Sequence, residues 1–246
     1  MLALFWNFSV KWAGNKEIYV DIEGVIKFNN AHDLRAEPDG AGELCALIAW
    51  RHILAHLSLI GQDQARYDGA GYGNLSTRIG PFPGPRGRRR FVISGTQTGG
   101  YRCLGAEDFA CIDAYNIAEN RVVSHGPIQP SSESLTHAAV YDLSPRIRVV
   151  LHVHSPLLWT RAEALRIPQT KASVPYGTQD MAREVGRLYR ETALSEKQIF
   201  SMAGHEDGVI VFGRNCDEAG RILLSYVGRA YEMLCMEDGA LCLTKG

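Results

Sequence analysis

Hydrophobic positions along the chain follow two rhythms. Between Glu43 and Ile60 they return at helical spacing, as Leu44, Leu47, Ile48, Leu54, Leu57 and Ile60, with Gly61 placed to stop the helix. Further helices are predicted from Pro130-Ser131-Ser132-Glu133 through Leu143, where proline suits a first turn and serine its cap, from Thr178 to Arg190, and from Asp217 to Met236. Strand-like runs lie between them: NLSTRI (74–79), RFVISG (90–95), FACID (109–113), RVVSH (121–125), RVVLHVH (148–154), IFSMAG (199–204), GVIVFG (208–213) and GALCLT (239–244). Residues 16–29 read as a short strand pair turning at Glu23-Gly24, and 31–42 as a linker. Hairpin-connected strands with interleaved helices predict an α/β fold, an αβα sandwich around a mostly antiparallel central sheet. Residues 1–40 form an N-terminal extension with short strands and 41–246 the main domain.

Composition narrows the classes. The net charge of −1 lacks the surplus of lysine and arginine that a nucleic-acid binder needs to neutralise phosphates. No stretch approaches the roughly 20 apolar residues that span a bilayer, and Asn7, Ser9 and Lys11 interrupt the apolar start, so a cytoplasmic location is expected. The six cysteines contain no C-x-x-C pair and read as reduced core thiols rather than as a disulfide framework or a thiolate zinc site. Arg86, Arg88, Arg89 and Arg90, in the loop between two predicted strands, are expected to form a solvated hairpin tip.

Candidate chemistry begins at LHVHSP, 151–156. On a strand, His152 and His154 point to one face while Leu151 and Val153 pack on the other, and two such imidazoles can reach one metal ion. GHEDG, 204–208, sets His205 and Asp207 at another strand edge; either completes three protein ligands and leaves a position open. His205 suits zinc as a neutral nitrogen donor, and Asp207 is the alternative third ligand or an orienting partner for an imidazole. Glu133 falls in a first helical turn beside Ser131 and Ser132, whose hydroxyls and N–H groups suit an anion. GAGYGNLS (69–76) and SGTQTGG (94–100) are glycine-bearing loops of the type that wraps phosphate through N–H groups.

The combination G-N-x-S-x-R (73–78), T-G (Thr98-Gly99), P-S-S-E (130–133), H-x-H-S (152–155) and a later histidine before G-x-x-x-x-G resembles the class II aldolase/adducin family over most of residues 43–236. The resemblance implies a zinc ion, or another divalent metal, held by His152, His154 and His205, and a homotetramer with sites at subunit interfaces. It assigns Gly73, Asn74, Thr98, Gly99, Ser131 and Ser132 to substrate binding, and Glu133 to acid/base catalysis, as in the fuculose-phosphate aldolase branch. The adducin branch lacks the metal histidines, so the retained H-x-H favours an enzyme. Aligning GVIVFG without a gap puts Asp207 where relatives often carry the third histidine. Gly71 replaces a hydroxyl residue, and no tyrosine falls where that branch places its proton donor; Tyr176 of a neighbouring subunit is one candidate for that place, and the plainer expectation for it is a partly buried tyrosine before the Thr178 helix cap. A C-terminal tail seen in some relatives is missing, and the first 40 residues are extra.

These features make the first expectation a zinc-dependent lyase that cleaves or forms an aldol bond in a small hydroxylated carbonyl compound, with a sugar phosphate as one candidate. A zinc Lewis acid lowers the energy of the enediolate and Glu133 shuttles the proton. The alternatives are an epimerase, dehydratase or decarboxylase on the same metal site, or a non-catalytic adducin-like interaction module.

Overall fold

A computed structural model of the chain describes residues 9–13, 16–20 and 25–237. It opens with a hairpin of β1 (Ser9–Ala13) and β2 (Lys16–Val20), followed by β3 (Asn29–Leu34) and helix α1 (Ala41–His56). Two short strands, β4 (Gly61–Gln62) and β5 (Gly71–Tyr72), pair with each other. A meander of β6 (Asn74–Arg78), β7 (Phe91–Ser94), β8 (Phe109–Asn116) and β9 (Arg121–Gly126) follows, each strand antiparallel to the next. Then come α2 (Ser134–Leu143), β10 (Val149–His154), α3 (Pro156–Thr160), α4 (Gln179–Glu191) and the single turn α5 (Leu194–Lys197). The hairpin β11 (Ile199–Ser201) and β12 (Gly208–Gly213) leads into the long α6 (Cys216–Glu237).

Eight strands form the central sheet in the order β11-β12-β10-β6-β7-β8-β9-β3. Every neighbour pair is antiparallel except β3 with β9. Strand parity sorts the core into two layers. Leu75, Val92, Leu151, Val153, Val209 and Val211 pack with Leu47 and Leu54 of α1 and Leu223 of α6. Ile93, Ile112, Val150, Ile210 and Phe212 pack with Leu135 of α2 and with Met181, Val185 and Leu188 of α4. Each such side chain contributes roughly 1.5–3 kcal/mol on burial, so aliphatic faces on both sides of one sheet dictate the three layers. His152 and His154 share the parity of Val150 and so belong to the α2 face.

Several local expectations change. The first helix ends at His56, because Ser58 adopts a left-handed φ of 55° and turns Leu59 and Ile60 into the core. The carbonyl of Leu59 then accepts the N–H of His154 at 2.9 Å. The segment 31–42 is no plain linker: Asn29–Leu34 pairs in parallel with β9 at the sheet edge, and His32 bonds the Ser124 hydroxyl at 2.8 Å. β2 pairs with β1, which precedes it, and the expected turn at Glu23-Gly24 lies outside the described residues, as does GALCLT (239–244). Arg86 and Arg88 are exposed, but Arg89 is buried and donates to the carbonyls of Gly84 and Tyr141, and Arg90 bridges Asp39 and Asp113. Half of the expected solvated tip is therefore internal structure. Among the described residues Cys45, Cys103, Cys111 and Cys216 form no disulfide, but only Cys111 and Cys216 are the expected core thiols, Cys45 and Cys103 being exposed; no described helix is long and apolar enough to cross a membrane.

Candidate metal centre

The antiparallel β10–β12 register sets His152 opposite Ile210 and His154 opposite Gly208. His205 lies in the turn entering β12, where its N–H donates to the Met202 carbonyl at 2.9 Å and its carbonyl accepts from Gly208 at 3.0 Å. A Cβ at residue 208 would collide with the His205 ring, so glycine there lets the ring fold back over the end of β10. The three ring centroids stand 5.0 Å (His152 to His154), 5.2 Å (His152 to His205) and 4.8 Å (His154 to His205) apart. One nitrogen from each lies within 4.8 Å of the other two, and all three residues are buried. Burial pushes the His152 imidazolium pKa down to about 3, and burial together with neighbouring charges holds His154 and His205 well below the usual range. All three rings are thus neutral near pH 7, the form that ligates metal.

The donor set fits a divalent ion on two observations. His154 Nε2 and His205 Nε2 are 3.1 Å apart, close to the roughly 3.3 Å between nitrogens sharing a tetrahedral zinc with bonds of about 2.0–2.1 Å. His152 Nε2, buried, has no hydrogen-bond partner among the described residues. The other nitrogen, Nδ1, faces the Asn74 side-chain amide at 3.1 Å, and the Asn74 Oδ1 also lacks a partner. Turning the amide end for end sets that oxygen against a protonated Nδ1 and leaves the Nε2 lone pair for a metal.

Two aromatic flanks enclose the triad. The Tyr67 ring meets His154 edge-on at 4.7 Å and Tyr72 lies 5.5 Å from it; Arg66 stacks on both tyrosines. Tyr67 donates its hydroxyl to Asp207 at 2.6 Å, and Arg66 stands 3.6 Å from the same carboxylate. Asp207 is therefore engaged by this flank, while His205 is the residue that joins His152 and His154. Tyr67 and Asp68 hold left-handed φ angles of 51° and 54°, strain of the kind that persists where surrounding contacts over-determine a loop. On the other side Tyr176, buried, packs its ring 4.4 Å from His205.

The remaining sequence candidates gather around the same end of the sheet. Asn74 pairs with His152 in register, and Gly73, with φ +75°, sits where a Cβ would press on Ile60 and come 3.1 Å from the His152 carbonyl. Thr98 and Gly99 form a tight loop whose glycine packs against Gly61, Gly71 and Tyr72 with no room for a side chain. Arg51 of α1, buried, donates to the carbonyls of Thr98 (3.2 Å), Gly99 (2.8 Å) and Arg102 (3.3 Å). Gly95 bridges Pro130, and Thr96 N–H donates to the Gln129 carbonyl, so this loop is tied to the Ser131-Ser132 turn. Ser131 and Ser132 are buried there, and Glu133, with no exposed surface, stands at the N-cap position of α2 without a side-chain capping bond; the helix begins at Ser134 rather than at Pro130, so Glu133 precedes its first turn instead of lying in it. One turn later His137 bonds the Ser76 hydroxyl at 2.7 Å, and burial keeps its ring neutral beside His152. Lys27, whose ammonium stands 3.5 Å from the centre of the Tyr176 ring, joins Arg51, Arg66, Tyr67 and His137 as residues that no local sequence motif marks.

A second group of potential donors, Asp39, Cys111, Asp113 and His125, lies on another part of the sheet. Arg90 fills its centre, 2.9 Å from Asp113 and 3.6 Å from the Cys111 sulfur, while burial pushes the Cys111 thiol up to about 12. It is an ion-pair cluster that pins the chain before α1 to the meander.

Fold and site together define a three-layer α/β protein with a buried histidine cluster, able to hold a metal ion, at one end of its central strands. The chain belongs to the family described as Class II Aldolase and Adducin N-terminal domain, which it matches over residues 54–234. It is 26% identical over 200 residues to a methylthioribulose-1-phosphate dehydratase of Xanthomonas oryzae pv. oryzae, covering 71% of this chain and 82% of that protein. It is 26% identical over 123 residues to a probable L-ribulose-5-phosphate 4-epimerase of Mycoplasma pneumoniae, covering 50% of this chain and 47% of the other. Among solved structures, an L-fuculose-1-phosphate aldolase from Thermus thermophilus aligns with a TM-score of 0.56 at 19% identity, covering 82% and 98% of the two chains. A sugar-phosphate aldolase from Thermotoga maritima aligns at 0.57 and 16%, covering 79% and 95%. At such identities the structural likeness establishes the fold alone.

Proposed function

We propose that the protein is a metal-dependent lyase acting on a small hydroxylated carbonyl compound, with His152, His154 and His205 as metal ligands and Glu133 as the acid/base. The convergence of three buried, neutral imidazoles carries this reading. The chemistry a divalent ion such as zinc supplies when bound there is Lewis acidity toward a carbonyl oxygen. Glu133, sequestered at the start of α2, moves the proton at the carbon next to that carbonyl. Asn74 fixes the His152 ring, and the Thr98-Gly99 loop with Ser131 and Ser132 supplies neutral donors for the rest of the substrate. A homotetramer and a cytoplasmic setting belong to the same proposal.

Two bond cleavages fit this machinery. Aldol cleavage breaks a carbon–carbon bond and requires a group to handle the proton of the departing aldehyde half. Dehydration removes the proton and expels a hydroxide from the neighbouring carbon. The second reading is supported by the similarity to methylthioribulose-1-phosphate dehydratases across 71% of the chain. Incubating the zinc-loaded protein with fuculose 1-phosphate and methylthioribulose 1-phosphate distinguishes them: two carbonyl fragments mean aldol cleavage, and one product lighter by a water means dehydration. Glu133→Gln is expected to keep its zinc and lose roughly 10²–10⁴-fold in rate. Undiminished turnover in that variant rules out the role given to Glu133, and a wild-type protein that takes up no divalent metal rules out the lyase.

A further inference from the structure

Positive charge is concentrated at the end of the sheet away from the triad. Arg78 ends β6, and its N–H donates to the Arg148 carbonyl at 2.7 Å, so the two arginines face each other where β6 runs beside the chain entering β10. Strand parity sends both side chains to the α2 face, as it does His152. Arg148 precedes His152 by four residues, roughly 13 Å at the ~3.3 Å rise of a strand, so the two places are separate.

Arg89 joins the pair from the loop between β6 and β7. Gly84, with φ +65°, lies between them: a Cβ there would stand 3.3 Å from Arg78 Nη2 and 3.7 Å from Arg89 Cγ. The centre of the Phe82 ring is 3.5 Å from the Arg148 guanidinium carbon and 5.1 Å from that of Arg78, so one aromatic face braces both. Like charges directly opposite on paired strands repel. Burial, with Arg148 and Arg89 close by, lowers the Arg78 pKa.

Among the described residues no carboxylate forms an ion pair with Arg78, Arg89 or Arg148. The acid within electrostatic reach of Arg89 is Asp142, which already accepts the Tyr115 hydroxyl at 2.8 Å and whose pKa burial raises. Donors are also left over. Arg78 is 2 % exposed and gives Nη2 to the Pro83 carbonyl at 2.9 Å, while its Nε and Nη1 have no acceptor; Arg148 Nη1, equally buried, has none. Buried donors of this kind call for an acceptor that the chain itself does not supply.

We propose that Arg78, Arg89 and Arg148 form a binding site for a phosphate group, distinct from the metal centre and independent of the lyase reading. Arg78 and Arg148 supply the donors and Arg89 adds charge. Guanidinium forks match a tetrahedral oxyanion, and a dianion offsets most of three positive charges where a carboxylate offsets one. The site opens beside Arg148, which is partly exposed, and Phe82, which is exposed.

The test titrates inorganic phosphate and, separately, glycerol 2-phosphate by calorimetry into wild type, Arg148→Gln and Arg148→Lys, each with and without zinc loaded. Thermal unfolding is read on the same samples in phosphate-free and phosphate buffers. Arg148 is chosen because its partial exposure lets the variants fold. Arg148→Gln is expected to weaken phosphate roughly 10- to 100-fold, the range of a charge-assisted hydrogen bond, whether or not zinc is present. Arg148→Lys, which keeps the charge and loses the fork, falls between. Without phosphate, Arg148→Gln should melt no lower than wild type, because it relieves the crowding of like charges; phosphate should raise the wild-type midpoint and leave that of the variant nearly unmoved. Comparable affinity for both anions assigns the phosphate group of an ester, and binding of inorganic phosphate alone assigns the free ion. Wild-type affinity in Arg148→Gln overturns the proposal, as does a wild type that binds neither anion or that binds them only when zinc is loaded.

Discussion

The Asn74 amide and the His152 ring face each other across the β6–β10 pairing, and the proton they share decides which His152 nitrogen is available. With the amide oxygen against Nδ1–H, the ring is fixed in the tautomer whose Nε2 lone pair points toward the other two imidazoles. Asn74→Ala is therefore expected to lower zinc affinity by roughly 10- to 100-fold while leaving the fold intact, read by competition with a chromophoric chelator. Unchanged affinity would show that the ring is oriented by packing alone. The shared face of His152 and His154 was legible from strand parity. The choice between His205 and Asp207 was not, because it turns on the way Gly208 lets one ring fold back and on a tyrosine 140 residues away in sequence that takes the carboxylate.

At the level of elements, α1 does more than cover the sheet. Arg51 projects from it into the turn at 98–102, where three carbonyls converge on one guanidinium. Burial lowers the Arg51 pKa from its usual value but leaves it charged, so each of these bonds is charge-assisted. Arg51→Met keeps much of the apolar stem and removes the donors. The expected result is a loop that loosens without disturbing the triad: KM rises about 10-fold or more, while zinc stoichiometry and kcat change little. A matched fall in kcat with KM unchanged would contradict a positioning role. Periodicity revealed α1, the meander and the histidine strand because their apolar faces are continuous. It concealed β3, an edge strand whose NNAHDL sequence bonds through polar side chains and whose partner is distant.

For the whole molecule, stability is linked to pH through the interior histidines. His137, His152, His154 and His205 are neutral when folded because burial disfavours their charged forms. The unfolded chain takes up protons near pH 6.5, whereas folded His152 resists until about pH 3. This part of the stability is fully present above 6.5 and is lost progressively as pH falls toward 3. Metal-free protein should lose up to about 1.4 kcal/mol per pH unit for each such imidazole below 6.5, seen as falling urea midpoints between pH 6.5 and 5. A flat profile over that interval would mean that the rings gain protons without unfolding. The three-layer architecture itself was legible, since alternating aliphatic faces on successive strands demand helices on both sides. The gathering of Lys27, Arg51 and Tyr67 at one end was not, for each arrives through tertiary contacts that no short sequence motif encodes.

The parallel pairing of β3 with β9 also has a consequence for biosynthesis. His32 and the Ser124 it bonds are 92 residues apart, so at translation rates of about 5–20 residues per second the early strand waits roughly 5 to 20 s for its mate to be made. Until β9 emerges, a ribosome-tethered chain therefore holds the NNAHDL segment with its backbone N–H and C=O groups unpaired in water, which its polar side chains tolerate.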